Sequence, residues 1–267
     1  MRIMQIIRGR FDTSRPLSVP LRRDVSKGAA HSTAAIFVLF TFFLTAAAFA
    51  QDEAGIEKRF NGKTVLSYDV VSGGKKSGYV KWEYKGKDSL KGEAVDVLRV
   101  DSEAKILAFF DLNSHETIYL DSKNYLPVRV ERNLVFFGNK ELITERYDQE
   151  KGLIEVAKSV NGKSLRLKPL KQNKPICHIM ALLYFFPAAK GLMPGQKFDF
   201  NLPTAKVHVE VKSLVKVKIG AQEKEAFFLV GTGGKRFNIW LDKANLLPLR
   251  LEFLFPVGSV AIVRSSP

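Results

Sequence analysis

Residues 206–219 read KVHVEVKSLVKVKI: Val207, Val209 and Val211 alternate with Lys206, His208, Glu210 and Lys212. A period of two places the valines on one face and the polar side chains on the other. That is the pattern of an antiparallel strand with one wet side. The same texture extends outward in both directions. Upstream it recurs in Thr64–Val71, Gly78–Tyr84, Ala94–Val100, Lys105–Leu112, Thr117–Asp121, Leu126–Phe137, Lys140–Tyr147, Gly152–Val160 and Lys163–Lys168. Downstream it recurs in Gln222–Val230, Arg236–Leu241, Leu247–Phe255 and Ser259–Arg264. Turn residues separate these runs, among them Gly73-Gly74, Gly138-Asn139 and Asn161-Gly162, the last a strong two-residue hairpin signal.

One stretch departs from the alternation. Ile176–Phe186 (ICHIMALLYFF) is continuously apolar and lies between Pro175 and Pro187. It reads as a buried helix of about three turns, with a buried strand as the alternative. A dozen or so strands and one helix do not make a flat sheet. The expected fold class is therefore all-β: a strongly curved antiparallel sheet forming a closed or half-open barrel with one short helix across an opening.

The N-terminal region differs in kind. Ala34–Ala50 (AAIFVLFTFFLTAAAFA) is an uncharged run of 17 residues behind a basic stretch. It is short for a membrane span, which needs roughly 20. It ends in the small-x-small pattern Ala48-Phe49-Ala50, followed by Gln51. Residues 1–50 are thus expected to be a signal peptide cleaved between Ala50 and Gln51, with an uncleaved anchor as the alternative. Residues 51–267 would then be an exported β domain, periplasmic or otherwise extracytoplasmic, with no membrane span after cleavage. Residues 1–50 hold seven of the basic side chains and two of the acidic ones, so +10 of the formal +15 lies beyond residue 50. That surplus favours anionic partners; outside the cytoplasm these are lipid head groups, lipopolysaccharide or wall polymer rather than nucleic acid. The single cysteine, Cys177, forms no internal disulfide, so the core alone must hold the fold.

Two segments echo each other. Residues 117–131 read TIYLDSKNYLPVRVE and residues 238–252 read NIWLDKANLLPLRLE. Both have the form of a hairpin, with Asp and Asn bonding locally in the turn and Pro starting the return strand. The echo suggests a duplication with halves near 51–170 and 171–267. Arg129 and Arg250 occupy matching places, as do Tyr119 and Trp240. With Trp82 these are the candidate ligand-binding residues, the arginines as anion ligands and the aromatics as apolar contacts. Cross-strand ion pairing with Glu131 and Glu252 is the simpler reading of the two arginines.

The Leu126-Pro127-Val128-Arg129 strand, the Tyr147-Asp148-Gln149 strand end, the Ile239-Trp240-Leu241-Asp242 and Leu247-Pro248-Leu249-Arg250 hairpin and Gly258 resemble the bacterial exported family called domain of unknown function 3108. The stretch from His178 to Tyr184, followed by Gly195, is similar to that family's short helix and glycine. His178 and Pro187 stand where the family pattern has an acid and an arginine. The resemblance implies location and fold, since the family has no established activity. The hairpin also resembles that of lipoprotein-carrier (LolA/LolB-like) half-barrels, which implies an apolar concavity for acyl chains.

No constellation for chemistry emerges. His115, His178 and His208 lack metal spacing, so no metal site and no cofactor are expected. Cys177 and His178 are neighbours whose side chains diverge, and Cys177 reads as an inert core thiol. Gly231-Thr232-Gly233-Gly234-Lys235 lacks the spacing of a phosphate loop. The expectation is a non-enzymatic envelope protein that binds a lipid or other lipophilic anionic ligand in the barrel concavity. The alternative is a structural or protein-interaction module of the envelope. The Phe doublets favour the first, because a doublet in a strand sends one ring to each face.

Overall fold

The structure is a computed structural model and describes residues 65–105, 111–136, 138–180, 191–233, 236–255 and 258–265. The expected leader, with its cleavage residues Ala48, Ala50 and Gln51, lies outside them. Fifteen strands account for nearly all of the described chain: β1 (Val65–Ser72), β2 (Lys75–Leu90), β3 (Glu93–Lys105), β4 (Asp111–Asp121), β5 (Pro127–Phe136), β6 (Asn139–Asp148), β7 (Leu153–Val160), β8 (Lys163–Arg166), β9 (Leu170–Lys171), β10 (Lys197–Leu202), β11 (Ala205–Ile219), β12 (Gln222–Thr232), β13 (Phe237–Asp242), β14 (Pro248–Phe255) and β15 (Gly258–Arg264).

All pair antiparallel in one sheet, in the order β10-β11-β12-β13-β14-β15-β1-β2-β3-β4-β5-β6-β7-β8, with β9 also on β7. Neighbours along this order are sequence neighbours except at one join, where β15 lies against β1. Arg264 is opposite Tyr68 there, and the Ser265 hydroxyl donates to Asp69 at 3.0 Å. Open edges remain at β10 and β8, so the sheet does not close and the barrel is half-open. A closed barrel is thereby corrected.

The sheet is nonetheless strongly bent. One buried cluster takes Leu66 and Tyr68 from β1, Trp82 from β2, Ile118 from β4, Tyr147 from β6, Ile154 from β7 and Leu251 from β14. Side chains from strands so far apart in the order meet only if the sheet curls around them. A second cluster fills the other flank, with Val207, Val209 and Val211 of β11 against Leu229, Ile239 and Leu241. These are the three valines of the opening motif, on the buried face that alternation assigned to them. Phe227 packs into this cluster while Phe228 faces the other way and meets Trp240, ring centroids 5.0 Å apart.

Three expectations need correction. The apolar stretch does not begin as a helix at Ile176. Ile176 is extended and bridges in parallel to Asn201, and helical residues begin at Ile179. The bonds of the Gln149 side chain to the Ile176 N–H and carbonyl and that from the Cys177 N–H to the Asn201 carbonyl (2.7 Å) hold it extended. Residues 181–190, where the helix was expected to continue, lie outside the described set. Lys105 and Asp111 are opposite each other in the antiparallel β3–β4 pair, so the two ends of the expected strand 105–112 belong to different strands; residues 106–110 lie outside the described set. The first arm of the β2–β3 hairpin also runs well past Tyr84, to Leu90 and a turn at Lys91-Gly92. The polar run Lys85–Asp88 continues as exposed strand beyond a bulge, because strand hydrogen bonds need no apolar side chain.

The two echoing segments have the same pairing. Tyr119 faces Arg129 and Leu120 faces Pro127, with Val128 bulged; Trp240 faces Arg250 and Leu241 faces Pro248, with Leu249 bulged. The row continues alike. Tyr119 opposes Val97, whose strand pairs with β2 across a bulge at Lys85. Trp240 opposes Phe228, whose strand pairs with β11 across a bulge at Lys212.

Candidate functional site

The candidate ligand residues divide between the faces of the sheet. Trp82 points inward, is 2% exposed and packs on Tyr68 at 4.4 Å between ring centroids. It is a core residue. Tyr119 and Arg129 face outward as cross-strand neighbours, and so do Trp240 and Arg250. Arg129 is ion-paired with Glu131, and Arg250 with Glu252 at 3.0 Å. The Arg250 guanidinium also lies 5.1 Å from the centre of the Trp240 ring. The structure therefore brings the residues together two by two, each arginine already neutralised by the glutamate two positions on.

The turns that present these rows are built alike. The Asp121 carboxylate accepts from the N–H groups of Lys123 (2.8 Å) and Asn124 (3.0 Å), and the Asn124 side chain accepts from the Leu126 N–H (2.9 Å). In the second copy Asp242 accepts from the Ala244 N–H (2.9 Å) and Asn245 from the Leu247 N–H (3.0 Å). Tyr125 and Leu246 complete each turn at φ 56° and 57°.

The inner face holds a polar cluster that the motifs do not single out. Glu116 of β4 shares the inward alternation of Ile118 and Leu120 and is buried with them. Arg132 of β5 donates to Glu116 at 2.5 Å and approaches Glu145 of β6 at 3.8 Å. Tyr147 donates to Glu145 at 2.5 Å. His178, buried on the segment leading away from Ile176, places Nε2 3.2 Å from Glu116. The Met180 N–H donates to Nδ1 at 3.3 Å, so Nε2 carries the proton toward the carboxylate. Burial alone would push the Glu116 carboxyl up; the hydrogen bond from His178 and the Arg132 guanidinium outweigh it and hold the group down at about 2. Burial also pushes the Tyr147 phenol far above its ordinary value.

The Gln172–His178 segment crosses from β7 toward the β10 edge. The Gln149 side chain accepts from the Ile176 N–H (3.0 Å) and donates to the Ile176 and Pro127 carbonyls. Gln172 donates to the Leu202 carbonyl at 2.9 Å. Cys177 lies in the core, where burial raises its thiol to about 11. A thiol held there is overwhelmingly protonated at neutral pH and unreactive.

The inner face is covered unevenly. On β1 to β3 its apolar side chains are buried, as are Ile118 and Leu120 on β4. From β5 to β8 the inward positions beyond the charged cluster are not. Leu134, Ile143 and Val156 are half-buried, and Leu165, opposite Lys158, is 45% exposed. Lys158 and Glu141 form an ion pair of 2.7 Å among them. The result is a concave wall with apolar residues and fixed charges side by side.

His115 of β4 pairs with Asp101 of β3 at 2.7 Å, and His208 of β11 with Asp199 of β10 at 2.6 Å, both exposed. Among the described residues no group of three or more His, Cys, Asp or Glu side chains is placed to hold a metal ion, and no helix is long and apolar enough to cross a membrane.

No family model matches the chain, and the resemblance to domain of unknown function 3108 has no match behind it. No curated protein matches. Among solved structures, a β-barrel-like protein of Domain of Unknown Function DUF1849 from Brucella abortus is similar over 76% of this chain and 95% of its own, with 11% identity and a TM-score of 0.47. A candidate lipoprotein from Parabacteroides distasonis covers 76% of this chain and 93% of its own, with 6% identity and a TM-score of 0.24.

Proposed function

We propose that the chain is an exported, non-enzymatic envelope protein that holds a lipophilic anionic ligand against the uncovered inner wall of its half-open barrel. The observation that carries this is the unequal covering of the inner face. Leu134, Ile143, Val156 and Leu165 point inward and yet remain accessible. Apolar side chains on a concave face, with a few charges set among them, are what a ligand of mixed character needs. The cation Lys158 lies on the same wall, available to an acidic head group at the cost of exchanging Glu141.

The test is native mass spectrometry of the protein extracted without detergent from the cells that make it. An added mass matching a phospholipid, fatty acid or glycolipid supports the reading. That mass should disappear in Ile143→Glu/Val156→Glu, two changes on the accessible wall. A bare protein mass, with fluorescent fatty acids failing to bind, ends it and favours an interaction module.

A further inference from the structure

Residues 163–171 read KSLRLKPLK, and every one of them is exposed. They form β8, the short turn after it and β9, along one open edge of the sheet. Leu165, Leu167 and Leu170 are 45%, 42% and 38% exposed, which makes them three of the larger apolar side chains on the described surface. Lys163, Arg166, Lys168 and Lys171 alternate with them, and none makes an ion pair with a described residue. The stretch contains no acidic residue.

Lysines on an edge strand commonly serve as a guard against pairing with another sheet. A guard accounts for the cations and not for the leucines, which add to the hazard that the cations reduce. Leucines and unpaired cations interleaved along one accessible rim suit a surface that is apolar beneath and anionic on top. We infer that the 163–171 edge docks on an anionic phospholipid bilayer, its cations on the head groups and its leucines in the interfacial layer. This deepens the proposed function and rests on it for the choice of partner. Leu165 belongs both to the docking rim and, through its pairing with Lys158, to the accessible inner wall. Docking would set the open side of the groove against the membrane from which a lipid enters.

Flotation with phosphatidylcholine–phosphatidylglycerol vesicles, against pure phosphatidylcholine, tests the inference. Full-length wild type is compared with Lys163→Gln/Arg166→Gln/Lys168→Gln/Lys171→Gln and with Leu165→Ser/Leu167→Ser/Leu170→Ser. All three proteins share residues 1–64, so any affinity of the apolar Ala34–Ala50 run is common to them. The changed side chains are exposed, and a far-ultraviolet circular dichroism spectrum confirms that each variant folds. The wild type is expected to prefer the anionic vesicles, to lose about fivefold in affinity for each cation removed, and to weaken with salt. The serine variant is expected to bind more weakly while keeping its salt dependence. Equal flotation of all three proteins overturns the inference. So does a serine variant that binds like wild type while the glutamine variant also loses a soluble polyanion such as polyglutamate, since the partner is then an acidic polymer. Wild type that carries lipid yet floats no differently from its variants ends the docking edge and leaves the ligand groove standing. Variants that lose vesicle binding around a wild type of bare mass do the reverse.

Discussion

Glu116 keeps its charge in the core because His178 and Arg132 both bond to the same carboxylate oxygen. Its folded value near 2 lies below the 4.5 of the free side chain, so between those limits the unfolded chain binds the extra proton. The stabilisation is complete above pH ~4.5 and is lost as pH falls toward 2. Over that range it amounts to about 3 kcal/mol. Glu116→Gln is therefore expected to unfold more easily in urea at pH 7, by roughly 3 kcal/mol, and to show a flatter loss of stability between pH 4.5 and 2. Denaturant titrations across that range check both. An acid limb unchanged from wild type would show that another carboxylate governs it. The cluster was readable in part. Glu116 sits at the alternation of Ile118 and Leu120, a polar residue in a core position, and that alone marks it. Its partners come from strand pairing and from a segment more than 60 residues on, which no local spacing reveals.

At the scale of elements, turn chemistry carried most of the information. Asn161-Gly162 closes the β7–β8 hairpin with φ of 50° and 80°, as that dipeptide demands. Lys91-Gly92 adopts the same kind of turn at 55° and 87°, with a lysine in the left-handed position and exposed. Lysine gives no sequence signal for such a turn, which is why the far end of the β2–β3 hairpin was not foreseen. Lys91→Asn is expected to raise stability by about 0.5 kcal/mol, read as a higher midpoint in urea with an unchanged slope. The two Asp-x-x-Asn-x-Leu turns allow a second experiment. Replacing Asp242–Leu247 by the sequence of Asp121–Leu126 exchanges turns of the same hydrogen-bond pattern. The chimera should unfold within about 1 kcal/mol of wild type. A markedly larger loss would mean that the matching rows do not reflect a common ancestral unit. Arg129 and Arg250 were legible as a matched pair with Glu131 and Glu252 beside them, but each ion pair runs along one strand rather than across two. Trp82 is separated from both by the pleat, which sends it to the buried face while the arginines lie on the other.

For the whole molecule, alternation was enough to give an all-β class and a bent sheet, because two-faced strands in such number have few other ways to hide one face. It did not give the half-open state. That depends on whether β8 meets β10, and no residue pattern in either strand announces a missing neighbour. The join of β15 to β1 makes the halves mechanically one, with a core cluster that includes residues from β1, β7 and β14. We expect a single calorimetric transition, its van't Hoff and calorimetric enthalpies equal. Removing 258–267 should abolish it, because the strand facing both β14 and β1 is then gone. Two resolved transitions in the intact protein would mean that the halves fold apart.

The seam between β1 and β15 also sets a schedule for biosynthesis. Val65 leaves the ribosome long before Gly258, and at roughly 5–20 residues per second the interval is on the order of ten to forty seconds. Throughout it one side of β1 has no mate, and Tyr68 and Leu66 lack part of the core that later buries them. A nascent chain in that condition invites capture by the wrong strand. Its fate in the cell is thus tied to whatever shields the first strand until the last arrives.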